Sequence, residues 1–304
     1  MPEVKKIIIN ENISGQRLDN FLLNQLKGVP KSKVYSIIRK GEIRINSKRK
    51  KPSYKLVIGD EVRVPPIKTS SKENQFVPSN IIGLLRDSIV DENDDYIALN
   101  KPEGIASHGG SGISIGVIET IRNFGKSYRD AKLVHRLDKD TSGCQVIAKN
   151  NKFLRSCNKL ISERKVKKTY QAIVHGNWNH KGGIYEINIE KNMLIGKERM
   201  VRISEGGKIA KTFFKVIESS KHFSLIQCEL ITGRTHQLRV HLSELGFPIV
   251  GDKKYGIKEN KFPKGSGHRK RMYLHANSFI SKDLNIYLNV KLPEEFKKIL
   301  KNDE

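Results

Sequence analysis

Two polar segments carry side chains whose types and spacing suit chemistry. The first is Val134-His135-Arg136-Leu137-Asp138-Lys139-Asp140-Thr141-Ser142-Gly143, which runs directly into the apolar stretch Cys144 to Ala148. A carboxylate just ahead of a strand, with an Arg and hydroxyls around it, sits where loops present reactive groups. The same residue types also make a plain turn, so the segment alone leaves both readings open. Asp138 and Asp140 have the D-x-D form of a metal pair, but no third hard ligand follows at a usable spacing, and no metal is expected. The second segment is Thr232-Gly233-Arg234-Thr235-His236-Gln237-Leu238-Arg239-Val240-His241. If Thr235 opens a helix, Leu238 and Leu242 face the core and Arg234 lies at or before the N-terminus, free to reach into a cleft. His236 and His241 are five apart, a poor helical spacing for one metal, and such histidines more often serve as core or hydrogen-bonding residues.

A third segment imitates a hydrolase. Gly112-Ile113-Ser114-Ile115-Gly116 matches G-x-S-x-G, and His108-Gly109-Gly110-Ser111 has the look of an oxyanion loop. A nucleophile elbow needs a strong apolar strand before it and an oxyanion loop well upstream; here a Gly-rich loop abuts the motif, so serine hydrolysis is set aside. No G-x-G-x-x-G follows a strand and no Walker loop occurs, so neither a dinucleotide nor an NTP site has support.

The elements that must position these groups show in the periodicity. From about residue 81 short apolar strands (Tyr96 to Leu99, Cys144 to Ala148, Tyr170 to Val174, Phe213 to Val216, Phe223 to Cys228) alternate with helical stretches near 114–124, 151–164 and 235–245. The class is α and β without a regular βαβ rhythm. The N-terminal region differs. Leu18, Phe21 and Leu22 fall at i, i+3 and i+4, and Pro30 to Lys33 opens a second helix with Val34, Ile37 and Ile38 on one face. After Gly41 the period becomes two, through Ile43, Ile45, Tyr54 and Leu56 to a Gly59-Asp60 turn and Val62-Arg63-Val64. Pro65-Pro66 closes this module, and the polar, turn-prone residues that follow predict a linker over 66–80 between a module at 1–65 and a larger domain at 81–304.

The 304 residues hold 57 Lys+Arg against 32 Asp+Glu, a formal charge of +25, which points to a polyanionic partner. Residues 1–68 alone contain 16 Lys+Arg and 6 Asp+Glu, a local +10. A solvated basic surface would account for a lone charge run, but here the second helix and the Lys48 to Lys51 turn can converge on one face. No apolar stretch is long enough to span a bilayer and the N-terminus lacks a leader pattern, so an intracellular, cytoplasmic protein without membrane attachment is expected. The three cysteines, Cys144, Cys157 and Cys228, suit neither a disulfide framework nor a metal knuckle.

Residues 13–65 resemble an S4 domain, an RNA-binding fold of two helices and a bent hairpin. Further on, Asn100-Lys101-Pro102-Glu103-Gly104 with His108, HRLDKDTSG, Lys168-Thr169-Tyr170-Gln171-Ala172, Gly207 to Thr212, and TGRTHQLRVH with Gly246 to Asp252 resemble, in that order, the RluA-type pseudouridine synthases. The resemblance implies an α+β protein: a small S4 domain plus a catalytic domain built on a mixed, mainly antiparallel sheet flanked by helices. It implies isomerisation of uridines in large-subunit (23S) ribosomal RNA, with that RNA or a pre-ribosomal particle as partner and a monomeric enzyme. Paralogous synthases that act on other ribosomal or transfer RNA uridines, and a non-catalytic S4 assembly protein, are the alternatives.

Pseudouridine formation breaks the N1 to C1′ bond, turns the base, joins C5 to C1′ and releases the C5 proton; as an isomerisation it requires no cofactor. One carboxylate must stand near C1′, either to attack the sugar or to take a proton from C2′. By the resemblance Asp138 is that carboxylate, Arg234 its cationic partner, and Tyr170 the ring that stacks on uracil and relays the C5 proton. RNA contacts are expected from Arg17, Lys31, Lys33, Arg39, Lys40, Arg44, Lys48, Arg49, Lys50 and Lys51 in the S4 domain, and from His108, His135, Arg136, Lys168 and His236 around the site. Arg136 is expected to fill the stack vacated by an extracted uridine. Cys144 and Gln145 depart from the family pattern, in which apolar residues follow the TSG, so packing beneath that loop is expected to differ.

Overall fold

The computed structural model describes residues 3–26, 28–67, 77–110, 115–195, 198–257, 271–301 and 303, with the side chains of 191–195, 198 and 199 excluded. Residues 68–76 of the expected linker, the Gly112 to Ser114 part of the hydrolase-like motif and residues 259–270 of a basic, Gly-rich stretch lie outside them. The chain divides into two compact units, 1–76 and 77–304.

In the first unit β1 (Lys5–Ile8) precedes two helices, α1 (Leu18–Gln25) and α2 (Lys31–Lys40), and the short strands β2 (Arg44–Ile45) and β3 (Glu61–Val64) follow. The sheet runs β1-β3-β2, antiparallel throughout. Helix α2 starts after Pro30, whose fixed φ suits a helix entry, and stops at Gly41 in the left-handed conformation. A side chain at Gly41 would collide with the Arg49 guanidinium, which lies across it. The Lys48 to Lys51 turn therefore does meet the basic C-terminal end of α2. Leu18, Phe21 and Leu22 of α1 pack against Val34, Ile37 and Ile38 of α2, with Ile45 and Val62 from the strands. The hairpin bend is held by buried Asp60, which accepts from Asn46 Nδ2 at 2.8 Å, Tyr54 Oη at 3.1 Å and the Val57 N–H at 2.9 Å.

The second unit opens on α3 (Ser79–Asp87), which begins within the expected linker. It continues through β4 (Ile89–Glu92), β5 (Tyr96–Lys101), α4 (Val117–Ile121), β6 (Lys132–Leu133), β7 (Ser142–Ala148), α5 (Asn151–Ser162), β8 (Lys167–His175), β9 (Gly183–Ile195), β10 (Glu198–Ile203), β11 (Lys208–Ser219), β12 (Phe223–Leu230), α6 (Gln237–Glu244), β13 (Leu274–Ser281), β14 (Ile286–Asn289) and α7 (Glu294–Lys301). One sheet of eleven strands has the order β10-β9-β11-β12-β8-β13-β7-β5-β4, with β14 on β13 and β6 on β7. Among the described residues only β13 and β7 pair in parallel. Both faces are covered in the centre: Tyr96 and Ala98 of β5 pack with Phe153 and Cys157 of α5, while Ile97 and Leu99 meet Val117 and Ile121 of α4. That double burial makes these strands read as continuous apolar runs rather than alternating ones.

The TSG of the first polar segment is explained at the parallel pair. Gly143 has φ +111°, and any side chain there would drive into the Ala276 carbonyl of β13. Next to it, Arg271 Nη2 donates to Ser142 Oγ at 2.6 Å and Ser142 Oγ meets His275 Nδ1 at 2.8 Å. His275 and His241 are fully buried, and burial pushes each imidazole down to about 4. Both stay neutral in the fold while an unfolded chain protonates them near 6.5, so the unfolded state binds more protons between those values and stability falls as pH falls. Urea unfolding between pH 6.5 and 4 is expected to lose up to about 1.4 kcal/mol per histidine per pH unit. Replacing His241 by Leu should remove its share of that slope, and an unchanged slope would contradict the assignment.

Candidate active site

The TGRTHQ segment forms the entry to α6 and is clamped by one side chain. Buried Gln237 donates from Nε2 to the Lys211 carbonyl and to Thr212 Oγ1, both at 2.9 Å, and its Oε1 accepts from Thr232 Oγ1 at 2.8 Å and the Arg234 N–H at 3.0 Å. His236 caps the helix with φ +52°, a left-handed conformation that a non-glycine residue adopts at a cost. In the first turn of α6, Arg239 points inward with only 8% of its side chain exposed.

Arg239 is the cation that meets Asp138. Its Nε and Nη2 form a fork on buried Asp252, both at 2.7 Å, and its remaining Nη1 donates to Asp138 Oδ2 at 3.0 Å. Burial works against the guanidinium charge, yet Asp252 and then Asp138 outweigh it and hold Arg239 above the ordinary arginine range. Burial likewise pushes Asp252 up, but the Arg239 fork and the N–H groups of Lys254 and Tyr255 win and keep it below the ordinary carboxylate range. The arrangement is a buried ion pair with one donor to spare for a half-exposed carboxylate.

The expectation for Arg234 is thereby corrected. Arg234 is exposed and lines the same cleft, but its Nε donates to the Ile209 carbonyl at 3.1 Å, and its backbone is tied to Gln237 three residues ahead of the helix turn that faces Asp138. The sequence carries little signal for Arg239: the neighbour of core-facing Leu238 in a helix lies about 100° round from it, and it is the burial of Arg239 in the fold that calls for a carboxylate such as Asp252.

The loop that carries Asp138 is strapped from below. Ser107 Oγ donates to the Leu137 carbonyl at 2.7 Å and accepts from the Leu137 N–H and from Gln145 Nε2, each at 2.9 Å. Gln145, a departure from the apolar pattern, thus replaces packing with a hydrogen bond under the loop. Fully buried Lys101 donates to the carbonyls of Pro102, Ile105 and Lys139, at 2.7, 2.8 and 3.3 Å. His135 belongs to the same scaffold: its Nε2 accepts the Val146 N–H at 3.1 Å, its ring stacks on Phe279, and burial then Lys168 push it down to about 3. Its Nε2 is thus already engaged within the loop scaffold, while the residue also lines the cleft.

Asp138 opens into a cleft of about 1490 Å³ lined also by Tyr170, Lys168, Arg136, His108, Arg234 and His236. That exceeds the roughly 300–1,000 Å³ of small-molecule pockets, and suits a strand of several residues better than a free nucleoside. Tyr170 is buried, and desolvation, then the nearby Asp138 and Cys144, raise its phenol, so it keeps its proton. Burial lowers Lys168, whose Nζ approaches Gly233 closely enough that a Cβ there would touch it. Arg136 and His108 are exposed neighbours, Nη1 to Nε2 3.4 Å.

In the first unit Lys31, Lys33, Arg39, Lys40, Lys48, Arg49 and Lys51 are exposed, Arg44 is half-buried, and Lys50 lies 4.6 Å over the Tyr54 ring. Arg17 is already engaged, with Nη2 2.6 Å from buried Asp19. Among the described residues no group of three or more His, Cys, Asp and Glu could hold a metal ion, and no helix is long and apolar enough to cross a membrane.

The model of the RNA pseudouridylate synthase family matches residues 95–244, a span that contains Asp138, Tyr170 and Arg239, and the S4 domain model matches residues 16–62. The ribosomal large subunit pseudouridine synthase C of Salmonella typhimurium is 45% identical over 279 residues, covering 90% of this chain and 88% of that protein. The chain belongs to the RluA family of pseudouridine synthases. Other pseudouridine synthases are similar to it. The Escherichia coli synthase C is also 45% identical over 279 residues, and that of Pasteurella multocida is 43% identical over 303 residues, 98% of this chain and 93% of that protein. Among solved structures, human RNA pseudouridylate synthase domain containing 4 superposes with a TM-score of 0.61 at 27% identity, covering 73% of this chain and 95% of that one. Human RNA pseudouridylate synthase domain containing 1 gives 0.56 at 28%, covering 69% and 84%. The pseudouridine synthase domain here is therefore the mixed, mainly antiparallel sheet with helices, preceded by an S4 domain.

Proposed function

We propose that this synthase isomerises uridines of large-subunit ribosomal RNA, with Asp138 as the carboxylate that acts on the ribose. The observation that carries the reading is the Asp252–Arg239–Asp138 chain, in which a buried fork fixes a cation 3.0 Å from Oδ2 of a carboxylate open to the cleft. Such preorganised charge needs no rearrangement when the substrate enters. Arg239 and His236 both face Oδ2, and Oδ1 has no hydrogen-bond partner among the described residues, which leaves it for C1′ or the C2′ proton. Tyr170 enters as a neutral phenol, suited to stack on uracil and to donate a hydrogen bond; it is not charged as a base at the outset. Arg136 and His108, exposed at the rim, suit the gap left by an extracted base, while Arg234 and Lys168 suit flanking phosphates.

The ribosomal target is supported by the identity to the synthase C proteins across nearly the whole chain, S4 domain included. Pseudouridines should be mapped in RNA from cells with and without this protein. Loss of one or more large-subunit pseudouridines is the expected result. A large-subunit map that does not change, or losses confined to transfer RNA, would overturn the substrate.

A further inference from the structure

We propose that Tyr255 sets the tautomer of His236, so that the imidazole turns an Nε2–H toward Asp138 and Tyr255 acts as a positioning residue of the active site. The inference rests on the reading of Asp138 as the reacting carboxylate.

It starts at a β-bulge. The register of β10 on β9 shifts between Met200 and Val201, and bulges re-aim backbone groups. The Val201 N–H donates to Tyr255 Oη at 3.0 Å. The same oxygen lies 2.9 Å from His236 Nδ1. A phenol has one proton to give, and among the described residues Nδ1 is the acceptor it meets. Burial raises the Tyr255 phenol and lowers the His236 imidazole, so both partners are neutral at pH 7. A neutral imidazole carries a single N–H; with Nδ1 accepting, that proton sits on Nε2. Nε2 lies 3.7 Å from Asp138 Oδ2, long for a hydrogen bond in the free enzyme, as catalytic contacts often are before substrate tightens them.

Tyr255 is itself held on three sides. Its N–H reaches Asp252 Oδ1 at 3.2 Å, its carbonyl accepts from Ser243 Oγ at 2.9 Å, and its ring lies 5.1 Å from the Arg239 guanidinium. One residue therefore braces both groups that face Oδ2, and the two donors together direct Oδ1 toward substrate.

The test is the imidazole nitrogen spectrum of protein labelled with ¹⁵N-histidine, the His236 signals being those lost in His236→Gln. The native protein is expected to show the Nε2–H tautomer at His236. Tyr255→Phe, which keeps the ring beneath Arg239, should mix the tautomers and lower kcat about tenfold with KM for RNA little changed. His236→Gln, whose amide can donate near the Nε2 position, should retain more turnover than His236→Ala. An Nδ1–H tautomer in the native protein, a Tyr255→Phe spectrum that matches the native one, or equal turnover in the Gln and Ala variants would overturn the proposal. Because the tautomer is read without turnover, an error in the role of Asp138 would show separately, as activity in an Asp138 variant whose His236 spectrum is native.

Discussion

Replacement of Asp138 by Asn is expected to lower turnover by about 10⁴-fold or more, as removal of a reacting group does in other enzymes. The change is nearly isosteric. The amide of the Asp138→Asn variant still offers an oxygen to Arg239 Nη1, and Arg239 keeps its fork on Asp252, so the loop and the fold should survive. RNA affinity should change little, since the surrounding cations of the cleft and the basic S4 face are untouched. The measurement is pseudouridine content of a ribosomal RNA fragment after a single turnover, beside a binding isotherm for the same fragment. Turnover that survives with native affinity would transfer the chemistry to another group.

Arg239→Met and Arg234→Met separate the two arginines of the same motif. Arg239→Met leaves Asp252 buried without its cation, and stability should fall by about 3–5 kcal/mol, the usual cost of breaking a buried pair from one side. Turnover should drop by about 10² or more, because the charge aimed at the reacting carboxylate is gone. Arg239→Lys keeps a charge but no fork, so it should fold better than the Met variant while remaining slow. Arg234→Met should unfold like the native protein, since only one hydrogen bond to the Ile209 carbonyl is lost. Its effect should appear in RNA affinity, with the salt dependence reduced by the equivalent of about one phosphate contact. Loss of kcat in Arg234→Met with full activity in Arg239→Met would reverse the assignment.

The difference between those arginines shows where sequence reading reaches its limit. Periodicity and caps point to α1, α2, β5, β7, β8 and α6, because each follows a local rule: apolar residues at helical spacing in α1 and α6, a Pro start and a Gly41 stop for α2, or an apolar run in the strands. Polar loops ahead of β7 and α6 likewise mark Asp138 and the TGRTHQ segment. Which Arg meets Asp138 depends on the direction of side chains around a helix turn and on Asp252, thirteen residues beyond Arg239, and spacing alone does not reveal that pairing. The same holds for His135, whose type suits a phosphate but whose Nε2 is taken by a backbone N–H, and for Arg17, paired with buried Asp19. Strands β9, β10, β13 and β14 lack a compact local signature and find their places through pairing with distant partners. Tyr255 Oη meets the Val201 N–H beside a bulge in β10, a feature of register that no short motif announces.

The central claim is that a carboxylate fixed by the Asp252–Arg239 fork meets the ribose of an extracted uridine. Its most direct test is the structure of the native protein with a ribosomal RNA fragment trapped before turnover. Asp138 Oδ1 is predicted to lie about 3–3.5 Å from C1′, or within hydrogen-bond reach of the C2′ hydrogen, with Arg239 still on Oδ2 and Tyr170 against the uracil. A uridine seated against a different carboxylate, or an Arg239 turned away from Asp138 in that complex, would contradict it.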